Sequence, residues 1–189
     1  MNPSWVDFPP AKKWYSKILY TFSFSQIADE QARDLLFSYR KSFDPFSVVE
    51  FIQNQLKGKH LLFFGAGPNL WRHLNQINAG IQLNRNQYYL IAADGSANAL
   101  RLFHLYPDLV ISDLDGLSYN EMQNLVKNGT IPLIHGHGDN QQKLIQFKQL
   151  LTSNHNLICT TQVDPKYPII NPGGFTDGDR GGDLIIKEM

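Results

Sequence analysis

Short apolar runs separated by polar helical stretches constrain the fold of this chain more than any other feature. The five runs are His60–Phe64, Tyr88–Ala93, Leu109–Ile111, Ile131–Ile134 and Leu157–Thr160. Short apolar strands that alternate with helices are typical of a parallel sheet whose two faces are both covered. The sequence therefore predicts an α/β fold with a mostly parallel sheet and helices on both faces. Stretches such as 120–127 and 140–151 are expected to be connecting helices.

The segment before the first run, residues 1–58, is expected to be helical. Ser25 is placed to cap a helix that begins near Gln26, and Asp44-Pro45 has the pattern of an N-cap followed by proline at the first helical position. We expect this segment to pack on an α/β core formed by residues 59–189, within a single compact unit.

Charge and apolar patterning narrow the class of protein. Seventeen basic and 17 acidic residues give a net charge of zero, so there is no electrostatic reason to expect nucleic acid as a partner. The apolar runs are far shorter than the ~20 residues of a membrane span. The first seven residues lack a basic region followed by an apolar run. These features predict a cytoplasmic protein that binds small molecules and neither nucleic acid nor membrane; a homo-oligomer stays compatible with them.

Glycine, aspartate and histidine cluster directly after the runs, where ligands bind in open α/β sheets. The first cluster offers Gly65, Gly67, Pro68 and Asn69. Glycines permit close backbone approach and a helix N-terminus favours an anion, so the turn is a candidate nucleotide site. Leu70 stands where a dinucleotide fingerprint has its third glycine, and a plain strand-to-helix turn remains the alternative.

Carboxylates follow the second and third runs. Asp113 and Asp115, two residues apart, can reach one cation, and Mg²⁺ prefers such oxygen ligands. Helix capping is the alternative for any one of these aspartates. The turn after the second run adds the candidate ligand-binding residues Asp94, Gly95, Ser96 and Asn98.

Two further clusters carry candidate catalytic groups. His135, His137 and Asp139 follow the fourth run and suit metal, phosphate or proton chemistry; a loop with a cap at Asp139 is the alternative. Near the C-terminus, a glycine-rich loop contains the candidate ligand-binding residues Asp177 and Asp179 and the candidate catalytic residue Arg180, whose guanidinium is suited to clamp a phosphate. A polar turn is the alternative there.

The motifs, taken together, are familiar. The segments 93–98 and 107–116 resemble the loops of thiamin pyrophosphokinases. With 65–70, 135–140 and 173–180 in the same order, the chain resembles the archaeal 6-hydroxymethyl-7,8-dihydropterin diphosphokinase family. That family is related to a domain of bacterial motility-associated proteins thought to act in flagellin glycosylation. The resemblance covers about residues 58–180.

The resemblance implies a Rossmann-like sheet and an ATP-dependent diphosphotransferase. Diphosphate would pass from ATP to the hydroxymethyl group of a reduced pterin, with Mg²⁺ required and AMP released, in folate or methanopterin biosynthesis. Asp113 and Asp115 would hold the metal, aided by Asp94 or Asp139. His135 or His137 would contact phosphate or act as base. Phe175 is a candidate to pack against the face of the pterin ring. Asp177 or Asn171 is a candidate to form hydrogen bonds with the edge of that ring.

Two departures from the related patterns matter. His135 and His137 replace the third acidic motif of thiamin pyrophosphokinases, which argues against thiamin as substrate. Family members continue past the loop at Arg180 through another helix and strand, so a shortened C-terminus is expected. The alternatives are a glycosyl-transfer protein of the motility-associated type, an S-adenosylmethionine-dependent methyltransferase, and a catalytically inactive binding protein.

Overall fold

The computed structural model of the protein describes residues 9–80 and 84–188. Its strands are β1 (His60–Phe64), β2 (Tyr88–Ala93), β3 (Leu109–Ser112), β4 (Ile131–Gly136) and β5 (Ile158–Thr161). Its α-helices are α1 (Pro9–Phe22), α2 (Gln26–Arg40), α3 (Pro45–Leu56), α4 (Leu70–Gly80), α5 (Ser96–Leu102), α6 (Tyr119–Lys127), α7 (Gln141–Gln146), α8 (Lys148–Ser153) and α9 (Asp177–Glu188). A 3-10 helix covers Gly138–Asn140.

The strands form one sheet in the order β1-β2-β3-β4-β5, and each neighbouring pair is parallel. The predicted α/β class with a parallel sheet is therefore confirmed. Because the strands run in the same direction, their carboxyl ends share one edge of the sheet. The residues that follow the strands are brought together there.

One face of the sheet is covered by the connecting helices. Strand connections of this kind are almost always right-handed. The strands lie side by side in their order along the chain, so every connection passes to the next strand on the same side. Right-handed connections of this kind place the connecting helices α4 to α8 on one face of the sheet. Their apolar residues pack there with alternate strand residues such as Leu90, Ala92 and Val110. Helix α2 joins this face through Ala32 and Leu36.

The opposite face needs helices from outside the strand connections. Helix α3 supplies Val48, Val49, Ile52 and Leu56, and α9 supplies Leu184 and Ile185. These residues pack against the other set of strand residues, among them Ile91 and Ile111. The predicted helices on both faces are thus present. The helices of the N-terminal segment share both apolar cores with the sheet.

The predicted helix starts are confirmed. Ser25 precedes α2 and its hydroxyl accepts a hydrogen bond from the Ala28 backbone N–H. Asp44 precedes α3, accepts from the Phe46 N–H, and is followed by proline at the start of the helix.

Three local expectations were wrong. Strand β4 continues through His135 and Gly136, which were expected in a loop; both are buried between neighbouring elements. The single helix expected over 140–151 is divided into α7 and α8. The glycine-rich segment near the C-terminus is a loop only to residue 176, and α9 begins at Asp177.

No helix among the described residues is both long and apolar enough to cross a membrane. The first seven residues, on which the expected lack of a signal sequence depends, lie outside the described part of the chain.

Candidate active site

Three carboxylates meet at the carboxyl edge of the sheet. Asp94 follows β2, Asp113 follows β3, and Asp177 begins α9. One carboxylate oxygen from each lies within 4.8 Å of the other two. All three side chains are half-buried, so the cluster is concentrated negative charge in a partly dry environment. Hard divalent cations such as Mg²⁺ prefer carboxylate oxygens in this arrangement, and the donor set fits such an ion.

The membership of this cluster differs from the sequence expectation. Asp113 is where it was expected, but Asp115 is exposed and lies outside the set of three. Its backbone N–H donates to Asp113 Oδ1 at 3.1 Å, so it helps to orient the neighbouring carboxylate. Asp177, expected to bind a ligand, completes the cluster instead.

The position of Asp94 depends on its backbone conformation and on the absence of a side chain at Gly116. Asp94 has φ of 45°, and the Ser112 hydroxyl donates to its Oδ1 at 2.7 Å. A Cβ on Gly116 would overlap the Asp94 carboxylate. Glycine at 116 is therefore required for Asp94 to lie where it does.

Electrostatics within the cluster follow from these distances. Burial and the negative charges of Asp113 and Asp94 raise the pKa of Asp177 to about 7. The hydrogen bond from His137 lowers the pKa of Asp113. Three carboxylates this close repel one another, and a bound cation would relieve that repulsion.

The two histidines have opposite environments, although their ring centroids are only 5.7 Å apart. His137 Nε2 lies 3.4 Å from Asp113 Oδ2, and its Nδ1 accepts from the Asp139 N–H at 3.3 Å. These contacts fit the tautomer with the proton on Nε2. Burial lowers the pKa of His137, but the hydrogen bond and charge of Asp113 outweigh it, so the pKa is raised.

His135 is fully buried in β4. Its Nδ1 lies 3.1 Å from Thr160 Oγ1, and within the described part of the chain no hydrogen-bond partner reaches its Nε2. Burial, reinforced by the positive charge of Arg180, holds the pKa of His135 well below its usual value. His135 is therefore neutral and has one ring nitrogen left unpaired.

Asp29 and Asn140 position the histidine segment, and the sequence analysis missed both roles. The buried Asp29 accepts from the Gly138 N–H at 2.7 Å, from Gln162 Nε2 at 2.8 Å and from the Tyr15 hydroxyl at 2.6 Å. Asn140 donates to the backbone oxygens of Asp113 and His135, both at 2.7 Å. No local pattern marks Asp29, because its partners are far away in the sequence; it looked only like a first-turn helix charge.

The other two expected catalytic residues, Arg180 and Asp139, are not part of the carboxylate cluster. Arg180 is buried, and its guanidinium donates to the backbone oxygens of Thr161, Gly173 and Phe175, each at 3.4 Å. Burial lowers the pKa of Arg180 to about 10. Asp139 is exposed and is not one of the three clustered carboxylates.

Several expected ligand-binding residues are engaged within the protein. The Ser96 hydroxyl donates to the Phe64 backbone oxygen at 2.7 Å, and Asn98 accepts from Arg101. Asp179 and Thr176 exchange hydrogen bonds that cap α9. These side chains therefore stabilise the turns and the helix start that surround the site.

Two cavities adjoin the carboxylate edge. One, of about 340 Å³, lies along β1 and is lined by Gly65, Gly67, Pro68 and Asn69 together with apolar residues. A Cβ at Gly65 or Gly67 would meet none of the described residues within 4 Å, so this turn leaves room for close approach to its backbone. Gly95 is different, because a Cβ there would lie 3.3 Å from the Gly116 backbone oxygen.

The second cavity, of about 320 Å³, lies on the β4–β5 side and is called here the acceptor cavity. Its lining is Phe24, Asp113, His135, His137, Gln162, Phe175, Thr176 and Asp177. Carboxylates and histidines occupy one part of this lining and aromatic rings another. Asn171 is not part of it; its side chain donates to the Val163 oxygen and accepts from the Gly173 N–H.

Comparison with known proteins gives consistent matches. The model of the family described as "6-hydroxymethylpterin diphosphokinase MptE-like" matches residues 36–187. A 6-hydroxymethyl-7,8-dihydropterin pyrophosphokinase of Methanothermobacter thermautotrophicus is 33% identical over 171 residues, covering 89% of this chain and 68% of the relative. Proteins of the same name from Methanocaldococcus jannaschii and Pyrococcus furiosus are 30% and 31% identical, with 71% and 73% of their lengths covered.

Proposed function

The chain belongs to the MptE-like 6-hydroxymethylpterin diphosphokinase family, and we propose that it transfers diphosphate from ATP to the hydroxymethyl group of 6-hydroxymethyl-7,8-dihydropterin. The observation that carries this proposal is the family match over residues 36–187. The three carboxylates at the strand ends lie within that range.

The carboxylate cluster supports a requirement for Mg²⁺. The substrate hydroxyl attacks the β-phosphorus of ATP, the bond to the α-phosphate oxygen breaks, and AMP leaves. Such a reaction depends on positioning and on charge neutralisation at the phosphate oxygens. Asp94, Asp113 and Asp177 would hold the ion, which supplies that neutralisation when bound.

The open turn at Gly65–Asn69 supports a nucleotide site on the β1 side of the cluster. Its glycines leave the backbone N–H groups approachable, and α4 begins directly after it. Backbone N–H groups and the positive end of a helix favour phosphate. ATP would then lie along β1 with its β-phosphate toward the carboxylates, and the acceptor on the β4–β5 side.

The environments of the two histidines suggest different roles for them. His137 contacts Asp113 and has a raised pKa, so it is suited to hold a proton near the phosphate oxygens. It also lines the acceptor cavity, where its Nδ1 would receive the proton of the attacking hydroxyl once it gives up the hydrogen bond from the Asp139 N–H. The lowered pKa of His135 makes it a poor base, and we assign it to substrate positioning.

Asp115, Asp139 and Arg180 are assigned supporting roles. Asp115 and Asp139 donate backbone N–H groups to Asp113 and His137. Arg180 holds the loop that carries Phe175 in place through backbone oxygens. Phosphate contact by Arg180 would require it to leave these partners.

Product analysis tests the proposal. The protein is incubated with ATP, Mg²⁺ and 6-hydroxymethyl-7,8-dihydropterin, and nucleotides are separated chromatographically. We expect AMP and the pterin diphosphate in equal amounts, with thiamin a much poorer acceptor. Asp113→Asn should lose most activity, whereas the control Asp34→Asn, on an exposed face of α2, should retain it. Formation of ADP in place of AMP, or a preference for thiamin, would refute the proposal.

A further inference from the structure

Three phenylalanine rings form an aromatic cluster at the mouth of the acceptor cavity. Phe22, Phe24 and Phe175 have ring centroids 5.7–6.4 Å apart and interplanar angles of 19–33°. Phe24 and Phe175 line the cavity itself. Phe22 is 56% exposed and Phe24 36% exposed. Exposed aromatic surface next to polar groups is characteristic of a binding site. These rings come from two distant parts of the chain, the α1–α2 turn and the loop before α9.

Phe24 is fixed in this position by its backbone. Ser23 adopts φ of 57° between the two helices, and the Phe24 N–H donates to the Leu19 oxygen at 3.1 Å. The start of α2 is also packed tightly on the histidine segment, since a Cβ on Gly138 would lie only 2.7 Å from Ala28 Cβ. Phe24 is therefore presented to the cavity from an anchored turn.

The polar part of the acceptor cavity has an unused hydrogen-bonding atom. His135 lines the cavity and is 3% exposed, and none of the described residues forms a hydrogen bond with its Nε2. A buried polar atom left unpaired is costly, so such an atom commonly pairs with a ligand. Gln162 lies in the same lining, and its Nε2 donates a hydrogen bond to Asp29 Oδ2 at 2.8 Å. A ring with donors and acceptors on its edge would meet complementary groups here.

We propose that Phe24, with Phe175, forms the wall on which the flat ring of the pterin acceptor lies, while His135 Nε2 and Gln162 contact the edge of that ring. The inference rests on the proposed function and deepens it. The hydroxymethyl group then lies toward Asp113 and Asp177, where the diphosphate arrives. A cavity of about 320 Å³ is within the size range of small-molecule sites.

Phe24 lies outside the part of the chain matched by the family model, which begins at residue 36. The match therefore does not assign this residue a role. The α1–α2 turn becomes a specificity element of the site, through the ring that it adds to the lining.

Direct binding of a non-reactive ring tests the inference. The probe is 6-methyl-7,8-dihydropterin, which keeps the ring but lacks the hydroxyl that accepts diphosphate. Its affinity is measured by isothermal titration for the unaltered protein and for Phe24→Ala, Phe24→Leu and Phe24→Tyr. The matched control is Phe51→Ala, an exposed phenylalanine on α3.

Phe24→Ala should bind the probe about 5- to 150-fold more weakly, the range for losing one aromatic partner of a stacked base. Phe24→Tyr should retain affinity, Phe24→Leu should lose much of it, and Phe51→Ala should be unchanged. With the true substrate, Phe24→Ala should raise KM for the pterin and leave KM for ATP as it was. If Phe24→Ala does not fold, the affinities of Phe24→Leu and Phe24→Tyr for the probe are compared instead, and they test the aromatic wall.

The outcomes separate this inference from the proposed function. Equal affinity of the Phe24→Ala and unaltered proteins, or of the leucine and tyrosine variants, overturns the aromatic wall even if AMP is formed normally. Failure of the unaltered protein to bind the probe also overturns it. Binding that depends on Phe24, without any AMP formation, upholds the wall and refutes the diphosphate transfer.

Discussion

Asp29 connects the N-terminal helices to the histidine segment of the candidate active site, and its replacement by asparagine gives a quantitative prediction. The carboxylate accepts hydrogen bonds from Gly138, Gln162 and Tyr15. Asparagine keeps the shape of the side chain but replaces one acceptor oxygen with an NH₂ group. In either orientation this group faces a donor, so at least one bond is lost and two donors are brought together.

The expected magnitude follows from the type of bond. A hydrogen bond to a charged group contributes ~1.5–3 kcal/mol, and an unsatisfied buried partner adds to the loss. Asp29→Asn should therefore lower the free energy of unfolding by about 2–4 kcal/mol. In a chain of this size that corresponds to a decrease in Tm of roughly 5–15 °C. Tyr15→Phe removes only one of the three bonds and should cost about 1–2 kcal/mol.

Thermal and urea unfolding followed by circular dichroism provide the assay. The control is Asp34→Asn on the same helix, where exposed pairs with Arg33 and Lys166 contribute at most about 1 kcal/mol. Turnover of Asp29→Asn, measured below its Tm, should also fall, because the Gly138 backbone and Gln162 lose their anchor. A Tm for Asp29→Asn no lower than that of Asp34→Asn would refute the reasoning.

Three further predictions concern the strand ends. Gly116→Ala should weaken Mg²⁺ binding in a metal titration, because its Cβ overlaps the Asp94 carboxylate. Asp113→Asn should reduce turnover by orders of magnitude and Asp115→Asn much less in steady-state assays, because only Asp113 lies in the cluster; equal losses would contradict this. His135 is held neutral when folded, whereas the unfolded histidine takes a proton near ~6.5. The contribution of His135 to the free energy of unfolding should therefore fall as pH drops below about 6.5, so His135→Gln should lose less stability than the unaltered protein between pH 7 and pH 5 in urea unfolding.

The sequence predicted the sheet well because the strands are short, apolar and bounded by turn residues. The predictions for individual segments were wrong where buried contacts, and not the local composition, determine the secondary structure. His135-Gly136 has loop-like composition, yet a buried contact with Thr160 and close packing of Leu36 against Gly136 keep it in β4. Helix α9 begins in a glycine-rich segment, and it is held to the sheet by Leu184 and Ile185.

The site was predictable in its location but only partly in its residues. Strand-end position predicted Asp94 and Asp113 as candidate ligand-binding residues, and both lie in the carboxylate cluster. The approach of Asp177 to them depends on how α9 packs across the sheet, which no local pattern reveals. The same is true of Asp29, which meets Gly138 across 109 positions of sequence.

The central claim is that Asp94, Asp113 and Asp177 form the metal centre at which diphosphate is transferred. A crystal structure with Mg²⁺, α,β-methylene-ATP and 6-hydroxymethyl-7,8-dihydropterin tests it most directly. The account predicts Mg²⁺ bound between these three carboxylates and the phosphate oxygens of the nucleotide. It also predicts the hydroxymethyl oxygen in line with the β-phosphorus. A metal ion bound away from the three carboxylates, or phosphates at another edge of the sheet, would contradict the account.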